Sequence, residues 1–314
     1  MHFTLRVRVR ALVVAVVITA PFACVPLFSP GAGAVTLTRL TKGPSTEADP
    51  CFSPDGQRIV CLKDDQFSGN REIWVMPASG GAAILQLTSQ NLGPTWPTWS
   101  PDGSTIVFVA RDKLMSVPAG GGQPLRLTRR GGRHPAWSRD GTSIAFASGY
   151  TCDLWKVAAG GGGESLLLGQ SFYRELDPTF SPDGERIAFA SDRSGHLEIY
   201  VCPVAGGEET QLTDMRGTNL EPAWSPDGNW IAFSRVTEPD RGIWVVPAAG
   251  GTPVCLTCSG FQDGTPSWSP DSRSLAFDRH MVDNNDDIWI AANLELHPAE
   301  VEETTWGRLK AQLR

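Results

Sequence analysis

Six side chains occupy one recurring place in this sequence. Asp49, Trp96, His134, Asp177, Glu221 and Thr265 each stand directly before a proline that opens the phrase Pro-x-[Trp/Phe]-Ser-Pro-Asp-Gly, or a worn copy of it. Three carboxylates, an imidazole, an indole and a hydroxyl would form a polar, mostly acidic ring if the fold brings them together. Such a ring suits a cation, a peptide or a basic loop. The competing expectation is a solvated rim whose charge is incidental. Asp283-Asn284-Asn285-Asp286-Asp287 is a second oxygen-rich stretch, but it lacks the glycine and terminal glutamate of an EF-hand loop. Asp287 also falls where Glu72, Asp153 and Glu198 recur, which points to a structural role.

Other chemistry is hard to find. The chain has no Gly-x-Ser-x-Gly, no His-Glu-x-x-His and no glycine loop followed by Lys-Ser/Thr. His134, His196, His280 and His297 are scattered, and Cys255-Leu256-Thr257-Cys258 is a lone C-x-x-C without a second pair at zinc spacing. No catalytic residue is assigned.

The elements that must position the ring follow from the phrase itself. It appears at 50–56, 97–103, 178–184 and 222–228, and in worn form at 135–141, with Arg139 for proline, and at 266–272, with Ser272 for glycine. The six serines lie 47, 38, 43, 44 and 44 residues apart. A period near 44 marks an array of similar structural units. Each unit reads as four short strands. The first carries the aromatic and ends at Ser, and Pro-Asp-Gly then reverses the chain. The second is Ile-Ala-Phe or a variant, the third Ile-Trp-Val or a variant, and the fourth follows a Gly-Gly turn and ends in Leu-Thr. Both faces of these strands are apolar, as expected of sheets stacked around an axis. The fold class is therefore all-β, a six-bladed β-propeller, and its inner strands place the six residues around one mouth of a central channel.

The last unit lacks a fourth strand. Val35-Thr36-Leu37-Thr38-Arg39-Leu40-Thr41 supplies one, because Leu40 precedes Ser53 by 13 residues, the offset of Leu87 to Ser100. This strand is expected to pair with 288–292 and close the ring, removing an open sheet edge.

Three domains follow: 1–34 as a secretory signal, 35–292 as the propeller, and 293–314 as a tail reading as a short helix. Arg6, Arg8 and Arg10 precede an apolar run, and Ala32-Gly33-Ala34 offers a cleavage site. A retained anchor and a lipoprotein at Cys24 are the alternatives. No second spanning segment is found, so no stable membrane span is expected once the signal is removed. Removing the three signal arginines takes the formal charge from −7 to −10. An acidic chain with no basic block in its sequence argues against nucleic acid. Six cysteines remain in an oxidising compartment, and Cys51 and Cys61, on adjacent strands of one hairpin, allow a cross-strand bridge.

The succession Pro-x-Trp-Ser-Pro-Asp-Gly, Ile-Ala-Phe, Ile-Trp-Val, Gly-Gly, Leu-Thr resembles the WD-like repeat of TolB-type propellers over about 35–292. The resemblance implies a periplasmic or secreted six-bladed propeller that binds partner proteins, among them a peptidoglycan-associated lipoprotein in an envelope-maintaining import system. The chain departs from that family in having no α/β domain between signal and propeller. Similar repeats occur in prolyl-oligopeptidase relatives, but the 22 residues after Ala292 are too few for a hydrolase domain. The first functional expectation is a monomeric, non-enzymatic envelope propeller that binds a protein or peptide and needs no cofactor. The second is a calcium-dependent ligand-binder or lactonase-like hydrolase whose collar acids hold the metal.

Overall fold

A computed structural model describes residues 35–296, except 65–69, 83–84, 90–91, 149–151, 170–171, 259 and 282–284. The expected signal (1–34) and most of the expected tail helix (297–314) lie outside the described residues. Among the latter, no helix is long and apolar enough to cross a membrane.

Six four-stranded antiparallel sheets form the blades. Blade 1 runs Thr46–Phe52, Arg58–Asp64, Arg71–Pro77 and Leu85–Gln86. Blades 2 to 5 repeat the pattern over 95–126, 132–168, 175–211 and 219–255. Blade 6 takes Asp263–Trp268, Leu275–His280 and Asp286–Ala292 from the end of the chain and Thr36–Arg39 from its start. The closing pair has the register Thr36↔Ala292 to Arg39↔Trp289.

Closure is also visible in side chains. Each Leu-Thr threonine accepts the N–H of the first apolar residue of its blade's third strand: Ile73 to Thr88 at 2.9 Å, Leu114 to Thr128 at 3.1 Å, Ile199 to Thr213 at 2.9 Å and Ile243 to Thr257 at 2.8 Å. In blade 6 Thr41 does the same for Ile288, at 3.0 Å, across 247 residues of sequence. Arg39 adds an ion pair of 2.6 Å to the buried Asp287, so Asp287 serves the blade.

The recurrent phrase is a hairpin lock. Its serine hydroxyl donates to the aspartate two residues on, at 2.6 Å for Ser100–Asp102, and accepts the N–H five residues on, at 3.0 Å from Thr105. Glycine then takes the left-handed φ (+70° at Gly103) that the turn requires. Ser272, in the worn copy, adopts φ +60° without that freedom.

The core is a set of layers between consecutive blades. One joins Val60, Leu62, Ile73 and Val75 of blade 1 to Ile106 and Phe108 of blade 2. Another joins Cys61 and Met76 to Ala276 and Ile288 across the closure. This arrangement corrects the expected Cys51–Cys61 bridge, since both cysteines are free. Cys51 stands opposite Val60, while Cys61 stands opposite Trp74 on the next strand. They pack into different layers, Cys51 toward blade 2 and Cys61 toward blade 6, so their thiols lie on opposite faces of one sheet. The bonded pair is Cys255–Cys258.

Candidate functional site

Each of the six singled-out residues sits in a β-bulge. In every blade the first strand shifts register against the second, so that the residue and the following proline together oppose one position. That position is the repeat phenylalanine (Phe108, Phe146, Phe189, Phe233, Phe277), with Cys61 in its place in blade 1. All five phenylalanines are fully buried beneath the bulge. The proline has no N–H, so a bulge there loses no ladder bond. The residue before it takes a left-handed backbone: φ is +51° at Asp49, +51° at Trp96, +48° at His134, +53° at Asp177, +54° at Glu221 and +45° at Thr265. For a tryptophan or a β-branched threonine this is a strained conformation, and it persists only where surrounding contacts fix it.

Those contacts form a closed ring around the axis. Asp49 Oδ2 accepts the N–H of Trp96 at 2.9 Å. The Trp96 indole packs at a tilt of 33° against the His134 imidazole, with centroids 4.0 Å apart. His134 Nδ1 meets Asp177 Oδ1 at 2.9 Å. Asp177 Oδ2 accepts the N–H of Glu221 at 3.0 Å, and Glu221 Oε2 that of Thr265 at 2.8 Å. Thr265 is too short to reach blade 1. Its hydroxyl instead donates to Asp278 Oδ2 at 2.6 Å, and that oxygen accepts the N–H of Asp49 at 3.0 Å.

Asp278 is thus a seventh member that sequence reasoning did not single out. The signal was present: Asp278 follows the repeat phenylalanine, where the other blades have Leu62, Val109, Ala147, Ala190 and Ser234. Ser234 also joins the ring, donating to Glu221 Oε2 at 2.7 Å.

The charges in the ring are uneven. Burial lowers the His134 pKa, but the Asp177 carboxylate outweighs it and leaves it raised. Burial raises that of Asp177, and His134 outweighs it in turn, leaving it lowered. These two form a matched pair. On the other side, burial pushes Asp49 up to about 6 and Asp278 up to about 7, the latter helped by the charge of Asp49. Glu221 is raised by burial and by Asp177. The arc from Glu221 through Asp278 to Asp49 therefore gathers three carboxyl groups whose pKa values are raised.

The six predicted residues line a single funnel of about 600 Å³. Its wall is made of the small residues after each proline, Cys51, Thr98, Ala136, Thr179, Ala223 and Ser267. Pro54, Pro101, Pro182, Pro226 and Pro270 edge it, with Arg139 as the one charged substitute among them. Among the described residues, no group of three or more His, Cys, Asp or Glu is placed to hold a metal ion. The carboxylate oxygens used in the ring accept from backbone N–H, hydroxyl and imidazole groups. The funnel can take up a slender group, favour a positive charge at its floor and offer a flat aromatic platform on one side.

The TolB beta propeller domain model matches residues 135–304. The chain belongs to this family. Among curated relatives, this TolB-type propeller is 39% identical over 67 residues to the uncharacterized peptidase YuxL of Bacillus subtilis, covering 21% of the chain and 10% of the relative. It is 40% identical over 55 residues to the Tol-Pal system protein TolB of Bordetella pertussis, covering 18% of the chain and 13% of that protein. These matches thus span about a tenth and about an eighth of the two relatives' lengths. Among solved structures, a putative TolB from Agrobacterium tumefaciens superposes with a TM-score of 0.63 at 18% identity, over 83% of this chain and 99% of that one. A gluconolactonase from Xanthomonas campestris gives 0.63 at 13% identity, over 83% and 90%. At these identities the structures show the shared fold alone.

The charge distribution also differs from the sequence expectation of no basic block. Arg126, Arg129, Arg130 and Arg133 lie within one eight-residue stretch, and Arg111 and Lys113 join them on the face opposite the funnel mouth. Backbone bonds join their segments: Leu127 N–H to Leu114 O at 2.8 Å and Gly132 N–H to Asp112 O at 3.0 Å. The signal available in sequence was seven basic residues against one acid over 111–139.

Proposed function

We propose that this TolB-type propeller is an exported, non-enzymatic binding module of the bacterial cell envelope that receives a segment of a partner protein or peptide in its axial funnel. The observation that carries the reading is the closed collar. Six strained bulges are held so that each carboxylate fixes the next blade's backbone, which makes a rigid, pre-organised floor suited to receiving a ligand. The acidic arc from Glu221 to Asp49 favours a basic or amino-bearing group, and the Trp96–His134 ring pair favours an apolar or planar one. Family membership and the local identity to a Tol-Pal system protein support an envelope setting. Cross-linking in native envelopes tests it. A defined partner should be recovered with the wild-type chain and lost with Trp96→Ala or Glu221→Ala. Recovery that is indifferent to both substitutions would move the binding face elsewhere.

The carboxylates raised by burial motivate a second reading, a calcium-dependent ligand-binder or lactonase-like enzyme, which the fold of a gluconolactonase also accommodates. It requires calcium to raise the melting temperature, and Asp49→Asn with Asp177→Asn to abolish that rise. A melting temperature unmoved by calcium rejects it.

A further inference from the structure

We infer that the face opposite the funnel docks on an anionic lipid surface through blades 2 and 3. In four blades the residue two before the collar position pairs with a cation across the hairpin: Glu47 with Lys63 at 2.7 Å, Glu175 with Arg193 at 3.1 Å, Asn219 with Arg235 at 3.2 Å and Asp263 with Arg279 at 2.6 Å. Blades 2 and 3 have Pro94 and Gly132 there. At Gly132 even a Cβ would meet Leu114 and Phe146 at 2.5 and 2.7 Å, so no acid can be accommodated. The cations of this sector therefore find no acid at that position, and Arg130 pairs instead with Glu164 at 3.8 Å. Arg111, Arg126, Arg129 and Arg133 are exposed, and none has an ion pair among the described residues. Arg130 lies over the Trp155 ring at 3.8 Å and is already paired with Glu164, so the four arginines above carry the open charge of this rim.

The next linker on this face, between blades 3 and 4, carries Phe172, fully exposed, and Tyr173, about half exposed. Guanidinium groups bind phosphate oxygens in a planar, two-pronged fashion. A neighbouring aromatic pair seats at the boundary between headgroup and acyl chain. Arginines alone would fit any polyanion; the exposed aromatics beside them select a lipid surface. This site is separate from the funnel, so its failure leaves the function proposed above standing.

The test is co-sedimentation of the whole chain with vesicles of phosphatidylcholine, with and without phosphatidylglycerol. Binding should require phosphatidylglycerol and fall as salt is raised. Arg126→Glu with Arg133→Glu should weaken it by at least about tenfold, each basic residue near such a surface contributing roughly fivefold. Phe172→Ser should weaken it by roughly fivefold or more, as expected for withdrawing a large apolar side chain. Arg273→Glu, an exposed residue on the funnel face, should leave binding unchanged, and circular dichroism melts verify that each variant folds. Three results overturn the proposal: no dependence on phosphatidylglycerol, an equal loss in Arg273→Glu, or a Phe172→Ser variant that binds vesicles as well as wild type. A duplex DNA that binds the basic patch independently of Phe172 would reassign it to a soluble polyanion.

Discussion

Blades 4, 5, 6 and 1 contribute the collar's carboxylate arc, and blades 2 and 3 contribute an indole packed against an imidazole. Both sectors use the same bulge, the same proline and nearly the same left-handed backbone, yet they stabilise it differently. In the carboxylate arc Asp177, Glu221, Asp278 and Asp49 each accept a neighbouring blade's N–H. In the aromatic arc the link from Trp96 to His134 is ring contact. A related division recurs one tier away, where in the first sector a cation is paired across each hairpin, while in the second Arg111, Arg126, Arg129 and Arg133 are exposed. A propeller repeat thus fixes geometry and leaves chemistry free. The sector that omits the acids acquires both the aromatic side of the funnel and a basic outer rim.

The comparison is broken most directly at Asp177, which holds the two arcs together. Asp177→Ala should destabilise by about 3 kcal/mol, because it leaves His134 Nδ1 and the Glu221 N–H without their acceptor. Chemical denaturation with an unchanged m-value measures this, and a loss no larger than that of an exposed substitution would show the ring to be incidental.

The next largest effect should appear in pH dependence. Asp278 and Asp49 have folded pKa values near 7 and 6, above the ordinary carboxylate value. The native state therefore holds more protons than the unfolded chain between about pH 4 and pH 7, and stability falls as pH rises through that window. The raised His134 adds stability below about pH 6.5 that is lost as pH rises through its folded pKa. Asp177, lowered, contributes in the opposite sense, with stability lost as pH falls below about 4. Asp278→Asn should flatten the decline, melting above wild type at pH about 8 and close to it near pH 4. A wild-type melting temperature that climbs steadily from pH 4 to 8 would contradict the charge surplus.

In the aromatic arc a double-mutant cycle between Trp96→Ala and His134→Ala should give a coupling of about 1 kcal/mol. Additive single effects would reduce the ring contact to proximity. The smallest change is expected for Glu221→Gln, within about 0.5 kcal/mol of wild type, since the amide oxygen still accepts from Thr265 while the acidic arc loses a charge. A large loss there would mean that the negative charge itself, and not hydrogen-bond geometry, holds the carboxylate arc.

Much of this was legible in the residues. The period near 44 gave six blades, the 13-residue offset from Leu40 to Ser53 gave the closing strand, and the residue before each proline gave six of the collar's members. Asp278 was less visible because it lies on the second strand, one residue past a motif that ends in phenylalanine. The Cys51–Cys61 expectation failed because adjacency of strands says nothing about face. The turn sets Cys51 opposite Val60, one position short of Cys61, and with a side-chain period of two the thiols diverge into separate layers. The basic rim was hidden by averaging over a net acidic chain, although four of its arginines stand within 126–133.

Sequence by itself determined the repeat, its turns and the number of sheets, because those depend on local backbone preference and on apolar periodicity, which any short window contains. Tertiary structure alone decided which acids face a neighbour's N–H, which cations are neutralised and which rings meet. Those outcomes depend on distances between blades, over which hydrogen bonds and charges act without regard to separation along the chain.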